Sequence, residues 1–300
     1  MNGDKLLTGM IAPAVTPFDK DGEVDVAAFN SDVSYLLDRG VDAIGVGGST
    51  GEGASLSDEE LSLLIRNACE TVSGRCPVVA GIIRSSTRAA VSAAISAQAA
   101  GADALLVTPV IYGGATDEQN LDYFAEIGVA TGLPVIIYNV VPSNDITPRV
   151  FARMAHDPHI IGIKEVRAER VPEMVAACGT YAQVYNACDS FMLNSYLCGA
   201  AGAISALITV APDLAVEQWQ AFCANDLVRA ARIDRDLRVL TNLYAGTPFV
   251  GKLKKLITLQ GRPAGHPRRP VRLPGDTVSQ TMISILKELG RSTVKTGNRE

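Results

Sequence analysis

The chain has 300 residues, 47% of them hydrophobic and 20% charged, enough apolar material for one large domain with a sizeable buried core. Its net charge of -5, with no long run of one sign, excludes a basic nucleic-acid surface or a membrane-binding patch and leaves a small molecule as the expected partner. Six scattered cysteines without a C-x-x-C pair, no apolar signal segment over Met1 to Lys5, and no apolar run near the roughly 20 residues of a bilayer span predict a reduced, cytoplasmic protein.

From Met10 onward, short apolar runs alternate with segments of helical period, and each run is followed by glycine, proline or hydroxyl residues. The runs predict strands over Met10–Val15, Ala43–Val46, Val78–Ile83, Ala104–Val107, Val135–Tyr138, Ile160–Lys164, Gln183–Tyr185 and Ala203–Ser205. Helical periodicity follows each of them in turn: Val26–Asp38, Asp58–Thr71, Thr87–Ala100, Asp117–Thr131, Pro148–Ala155, Arg170–Ala177, Phe191–Cys198 and Ala211–Ala224. Ser57 with Glu60 reads as a capping box, Thr147-Pro148 as an N-cap with a first-turn proline, and Gly40, Gly101 and Gly132 as left-handed helix ends.

Eight strand-then-helix units spaced by roughly 25 residues are the arithmetic of an α/β protein of the (β/α)8 TIM barrel type. No G-x-G-x-x-G follows the first strand, as an open dinucleotide-binding sheet would want. Past Ala224 the strand signal stops, and Asp226–Ala245, Val250–Leu259 and Thr277–Leu289 read as three further helices. The expected division is a barrel over 1–224 and a C-terminal helical appendage over 225–300. Within the appendage, the proline- and arginine-rich stretch Gly261–Pro274 reads as a linker and Val294–Glu300 as a frayed tail.

In such barrels the reacting groups sit at the carboxyl ends of the strands or in the loops just after them. Ile160-Ile161-Gly162-Ile163-Lys164-Glu165-Val166 is an apolar strand with a lysine in mid-run. An amine held in an apolar barrel loses hydration, which disfavours the ammonium form and makes an attacking amine available. Lys164 is therefore the candidate nucleophile, against the alternative of a lysine that snorkels out of the strand end. Glu165 points to the opposite face, since side chains alternate along a strand. After the second strand, Gly47-Gly48-Ser49-Thr50-Gly51-Glu52-Gly53 is a turn whose glycines let backbone N–H groups approach an anion such as a carboxylate. It lacks the G-K-[ST] ending of a P-loop. Tyr138 closes the fifth strand beside the lysine strand, where a phenol can shuttle protons during imine formation.

Taken in order, Gly48-Ser49-Thr50-Gly51-Glu52, Tyr138-Asn139 and Gly162-Ile163-Lys164-Glu165 resemble the signature of the dihydrodipicolinate synthase and N-acetylneuraminate lyase superfamily. The likeness covers nearly the whole chain, including Val15-Thr16-Pro17-Phe18, Val107-Thr108-Pro109, Gly202-Ala203-Ile204-Ser205 and Thr247-Pro248 ahead of Lys252. The resemblance implies that Lys164 forms a Schiff base with pyruvate or another 2-oxo acid and that Tyr138 relays protons. It also implies that Gly48, Ser49, Thr50 and Ile204 contact the substrate. It implies no cofactor and no metal, and a homotetramer built as a dimer of dimers with the Val110–Gly114 loop at the tight contact. His156 and His159 precede the sixth strand, at the end of the barrel away from the chemistry.

The chain departs from the family pattern at two places. Asn144 stands where the synthases carry an arginine for their second, dicarboxylic substrate, and an amide does not replace a bidentate guanidinium. Ile111 occupies the slot of the interface tyrosine, unless a one-residue shift lets Tyr112 act as the relay. Arg84 after the third strand and Arg167 after the sixth either read a distal substrate group or lie on the rim. Asn186 and Asp189 after the seventh are expected to read substrate hydroxyls, Asp189 alternatively capping the helix at Phe191. The expectation is a pyruvate-releasing aldolase or a keto-deoxy sugar-acid dehydratase rather than a lysine-pathway synthase. A dihydrodipicolinate synthase proper and a non-catalytic barrel that binds a 2-oxo acid are the alternatives.

Overall fold

The structure, a computed structural model, describes residues 7–294. Eight parallel strands close into a barrel in chain order. They are β1 (Gly9–Pro13), β2 (Ala43–Val46), β3 (Val78–Ile82), β4 (Ala104–Val107), β5 (Val135–Asn139), β6 (Ile160–Glu165), β7 (Gln183–Asn186) and β8 (Gly202–Ile204), with β8 pairing back onto β1. Around them run α1 (Val26–Asp38), α2 (Asp58–Val72), α3 (Thr87–Ala99), α4 (Asp117–Thr131), α5 (Pro148–Met154), α6 (Val171–Cys178) and α7 (Met192–Leu197). The α/β TIM-barrel reading is correct, with strand ends displaced by one or two residues.

Both faces of these strands are covered, which is why they read as near-continuous apolar runs instead of alternating ones. Inward side chains, among them Ile11, Val79, Leu106, Ile136, Tyr185 and Ile204, fill the barrel. Outward ones, such as Ile44, Val107, Ile137, Ile163 and Val184, pack under the helices in a second and larger core. Helix starts follow the local signals. Ser57 and Glu60 form the expected capping box, and Thr116 with Gln119 forms another. Thr147 caps α5 through the N–H of Val150, and Gly132 ends α4 at a φ of 63°.

The eighth unit differs from expectation. One helix was expected over Ala211–Ala224, whereas two are present, α8 (Ala206–Val210) and α9 (Pro212–Cys223). Pro212 disfavours helical backbone at the residue before it, and Ala211 sits at φ -138° and ψ 65° between the two. Ser205, read as the end of a strand, is instead the N-cap of α8 and accepts from the N–H of Leu207.

The remaining helices are α10 (Leu227–Tyr244), α11 (Phe249–Leu259) and α12 (Asp276–Glu288). The stretch 261–274 between the last two is no free linker. Arg262 is 5% exposed and its guanidinium donates to Asp32 Oδ1 on α1 (2.6 and 2.9 Å) and to the carbonyl of Thr209 on α8 (2.5 Å). Arg268 forks onto both oxygens of Glu60 (2.5 and 2.9 Å), and Phe18 and His266 exchange backbone hydrogen bonds. Proline and arginine content suggested a tether, but here the prolines stiffen a strap and the arginines bolt it to the barrel. Val294 donates to the carbonyl of Leu259, while the rest of the expected tail, 295–300, and the segment 1–6 lie outside the described residues.

Candidate active site

The register of the barrel places three side chains side by side at its interior. Tyr138 on β5 pairs with Lys164 on β6, and Lys164 with Tyr185 on β7. The Lys164 amine stands 3.8 Å from the centre of the Tyr138 ring, and both residues are buried at 6% and 5% exposure. Lys164 joins no ion pair among the described residues, so its amine is not committed to a structural carboxylate. Gly162 explains part of this geometry: a Cβ there would come within 2.7 Å of the Tyr185 ring. The missing side chain lets Tyr185 fill the barrel floor below the lysine, its hydroxyl donating to the carbonyl of Leu7 at 2.6 Å.

Glu165 faces the other way, as strand alternation requires. It is fully buried and accepts from Asn139 Nδ2 (2.7 Å) and from the N–H of Arg167 (2.8 Å). Asn139 in turn brackets Ile146 with two hydrogen bonds, so the β5 and β6 exits are tied together behind the face that carries Lys164.

The turn after β2 is tightly built. Gly47 has a φ of 74°, and a Cβ on Gly53 would lie 1.6 Å from the Gly47 carbonyl oxygen, so only glycine serves there. Within the turn, Glu52 N–H donates to Ser49 O (3.2 Å) and Gly53 N–H to Gly48 O (3.0 Å). The N–H groups of Ser49 and Thr50 donate to no backbone carbonyl among the described residues outside regular elements, which leaves them free for a bound anion. Gly48 and Thr50 are buried and Ser49 is exposed. Ile204 lies inward on β8, paired with Ile11.

Three side chains weighed as substrate readers, Asn186, Arg84 and Arg167, are held by protein neighbours, the two arginines in keeping with the rim alternative, and Tyr112, weighed as a relay, lies at the surface. Asn186 is buried on the outer face of β7, its amide spent on Cys188 and on the Ser195 hydroxyl. Arg84 is held by Asp58 Oδ1 and by the carbonyl of Ile83. Arg167 is paired with Asp145 and Glu165, and Arg170 also binds Asp145. Tyr112 is 89% exposed in the single chain and Ile111 42%, so neither reaches Tyr138 within it. For Asn186, Arg84 and Arg167 the sequence shows that a polar group follows a strand, but not which neighbour takes it.

Asp189 is held by protein donors after β7. It does not cap α7. Its carboxylate accepts from the Ser205 hydroxyl, from the N–H of Leu207 (3.4 Å) and from the hydroxyl of Tyr244 on α10 (2.8 Å). Burial pushes its carboxyl above the ordinary aspartate range, against the pull of those donors and of the positive charge on Lys164. Asn144, at the position of the synthase arginine, is buried and accepts from Asn120 (2.7 Å) while donating to the carbonyl of Val110 (3.1 Å). It shapes the loop beside the mouth.

Two residues of the C-terminal helices escaped the sequence reading. Tyr244 reaches Asp189 as described, and Lys254 on α11 is fully buried against the turn after β2. Its ammonium lies 2.5 Å from Glu52 Oε1 and donates to the carbonyls of Thr16 (2.6 Å) and His266 (2.7 Å). Burial lowers this lysine to about 8, opposed by the Glu52 charge. Lys252, two residues before it, instead donates to the carbonyl of Ala245 (2.8 Å). His156 stacks on Tyr181 and His159 meets Asp157, both at the opposite end of the barrel from the lysine. Among the described residues no helix is long and apolar enough to cross a membrane.

A closed parallel barrel with an uncommitted lysine inside it, a phenol at its side and a glycine turn with free N–H groups defines a lysine-dependent (β/α)8 lyase. The chain belongs to the dihydrodipicolinate synthetase family, whose model matches residues 6–289. It is 32% identical over 290 residues to a 4-hydroxy-tetrahydrodipicolinate synthase of Mesorhizobium japonicum, covering 95% of this chain and 99% of the relative. To the enzyme of the same name from Hyphomonas neptunium it is 36% identical over 288 residues, covering 94% and 97%. Among solved structures, YagE from Escherichia coli K12, a prophage protein of the dihydrodipicolinic acid synthase family in complex with pyruvate, superposes with a TM-score of 0.91. Its identity is 29%, with 96% of this chain and 100% of that one covered. The pyruvate-complexed dihydrodipicolinate synthase of Acinetobacter baumannii gives a TM-score of 0.89 at 28% identity, covering 95% and 99%. Membership makes the chain a class I lyase of the lysine type.

Proposed function

We propose that this enzyme forms a Schiff base between Lys164 and the keto carbon of pyruvate or a longer 2-oxo acid, and makes or breaks a bond next to that carbon through the enamine. The observation that carries the reading is the buried Lys164 amine standing 3.8 Å from the Tyr138 ring without an ion-pair partner among the described residues. The neutral amine attacks the keto carbon, and the carbinolamine loses its hydroxyl as water. Tyr138 moves the proton that this loss requires. The N–H groups of Ser49 and Thr50, with their hydroxyls, hold the substrate carboxylate, and Ile204 packs against its carbon chain. The protonated imine then acts as the electron sink: a carbon–carbon bond to the adjacent carbon breaks to leave the enamine, or that carbon loses a proton to give the enamine, which expels a hydroxyl from the next carbon as water.

For the overall reaction we favour an aldolase that releases pyruvate or a dehydratase of a keto-deoxy sugar acid. Two observations support it: Asn144 turns into the Asn120 amide, and the nearby Arg167 and Arg170 are both spent on Asp145. A second, dicarboxylic substrate would want one such guanidinium free. The condensation reaction of a 4-hydroxy-tetrahydrodipicolinate synthase is the second reading, favoured by the names of the relatives. Cytoplasmic location and a dimer-of-dimers tetramer, with the exposed loop at Tyr112 covered by a second copy, complete the proposal.

Borohydride reduction in the presence of pyruvate, followed by intact mass and peptide mapping, tests it. A stable adduct at Lys164 is expected. A folded sample that forms no adduct with pyruvate or longer 2-oxo acids would point to a non-catalytic binding barrel. Turnover of keto-deoxy sugar acids against turnover of pyruvate with a dicarboxylic aldehyde then separates the two reactions.

A further inference from the structure

We propose that Lys254 is a positioning residue for the carboxylate-holding turn, fixing Glu52 and, through it, the free N–H groups of Ser49 and Thr50. The inference rests on the reading of that turn as the place of the 2-oxo acid's carboxylate.

Glu52 follows Thr50 by two residues and has a φ of 57°, a left-handed conformation that a residue with a Cβ adopts only when its surroundings hold it. Both of its oxygens are held from the C-terminal part of the chain. Oε1 meets the Lys254 ammonium at 2.5 Å and Oε2 accepts from the N–H of Arg268 at 2.9 Å. Lys254 also donates to the carbonyl of Thr16, whose hydroxyl donates to the carbonyl of Gly51 at 2.7 Å. A closed ring of contacts therefore runs from Lys254 to Glu52, along the backbone to Gly51, and back through Thr16. The turn's own bond from Glu52 N–H to Ser49 O passes this constraint to the two residues that face the anion.

A lysine suits the place because its ammonium donates to two carbonyls, those of Thr16 and His266, and supplies a positive charge against Glu52 Oε1. Methionine has nearly the same shape but would take the ammonium away from Glu52 Oε1 and leave Arg268 as the carboxylate's remaining positive neighbour. The turn would relax, and the anion would bind less well. The chemistry at Lys164, on the other side of the barrel, would proceed as before once substrate was bound.

The experiment is borohydride trapping at Lys164 over a range of pyruvate concentrations, in the wild type, Lys254→Met, Glu52→Gln and the double variant, each checked for fold by circular dichroism. The half-saturating pyruvate concentration is expected to rise about tenfold in either single variant, as loss of a charged hydrogen bond implies. The trapping rate at saturation should stay within about threefold of wild type. The double variant should show no more than the larger single effect, because both changes break one contact. An unchanged half-saturation in a folded Lys254→Met protein, or a fall in saturated rate alone, would overturn the proposal. If that variant does not fold, Glu52→Gln decides by the same criterion, since its amide oxygen still accepts from Arg268. A wild type that forms no adduct would overturn the underlying reading of the site itself.

Discussion

Asn139 and Glu165, each one residue past the inward pair Tyr138 and Lys164, meet back to back at 2.7 Å on the outer face of the barrel. The same strand alternation that turns the phenol and the amine inward turns these two outward. The carboxylate of Glu165 is fully buried and also receives the N–H of Arg167, so its removal strands several donors at once. We expect Glu165→Ala to lower unfolding free energy by about 3 kcal/mol, measured by urea titration. A loss below about 1 kcal/mol would refute that structural role.

Lys164→Ala should abolish the borohydride adduct and turnover while leaving the fold intact, since the amine bonds to no carboxylate of the protein. Tyr138→Phe should keep the adduct site but slow imine formation by about a hundredfold or more, the usual scale of lost proton relay. Stopped-flow or quenched trapping reads that rate directly. A Phe variant that forms the imine at the wild-type rate would remove Tyr138 from the mechanism.

The barrel was legible because each layer repeats its own signal: apolar runs covered on both faces, capping residues before helices and glycine after them. Lys164 was legible for a related reason, a cation in a strand that otherwise holds none. What escaped were partners brought together by closure of the ring. Lys254 meets Thr16 across 238 positions, and Arg262 meets Asp32 across 230. No local pattern marks either end of such a pair. Asn186 shows the converse, and Arg84 the reason its two readings stay open in the sequence: being next to a strand end says nothing about a side chain already taken by Ser195 or Asp58.

The strap over 261–274 should be a folding element of the barrel. Asp32 and Arg262 are both buried, and the guanidinium links α1 to α8 through the carbonyl of Thr209. Arg262→Ala would leave the Asp32 carboxylate buried without its partner, and a loss of about 3 kcal/mol is expected. Limited proteolysis should then cut within 261–274 in the variant and not in the wild type. An uncut variant with wild-type stability would show that the strap is held by its other contacts alone.

The second bolt of the strap, Glu60 with Arg268, carries a pH dependence of defined sign. Hydrogen bonds from the Arg268 guanidinium hold the Glu60 carboxyl below the ordinary glutamate value of 4.5. A folded-state value below the unfolded one means that the unfolded chain takes up the proton first as pH falls. The contribution is therefore complete above about 4.5 and is lost as pH drops through the lower, folded value. At pH 7 the half-exposed fork should contribute about 1 kcal/mol relative to Glu60→Gln. Urea titrations of both proteins at stepwise lower pH should show that gap closing below the glutamate range, because a protonated carboxyl and an amide are then equivalent neutral partners for the arginine. A gap that stays constant into strong acid would mean that the two side chains differ in packing and not in charge.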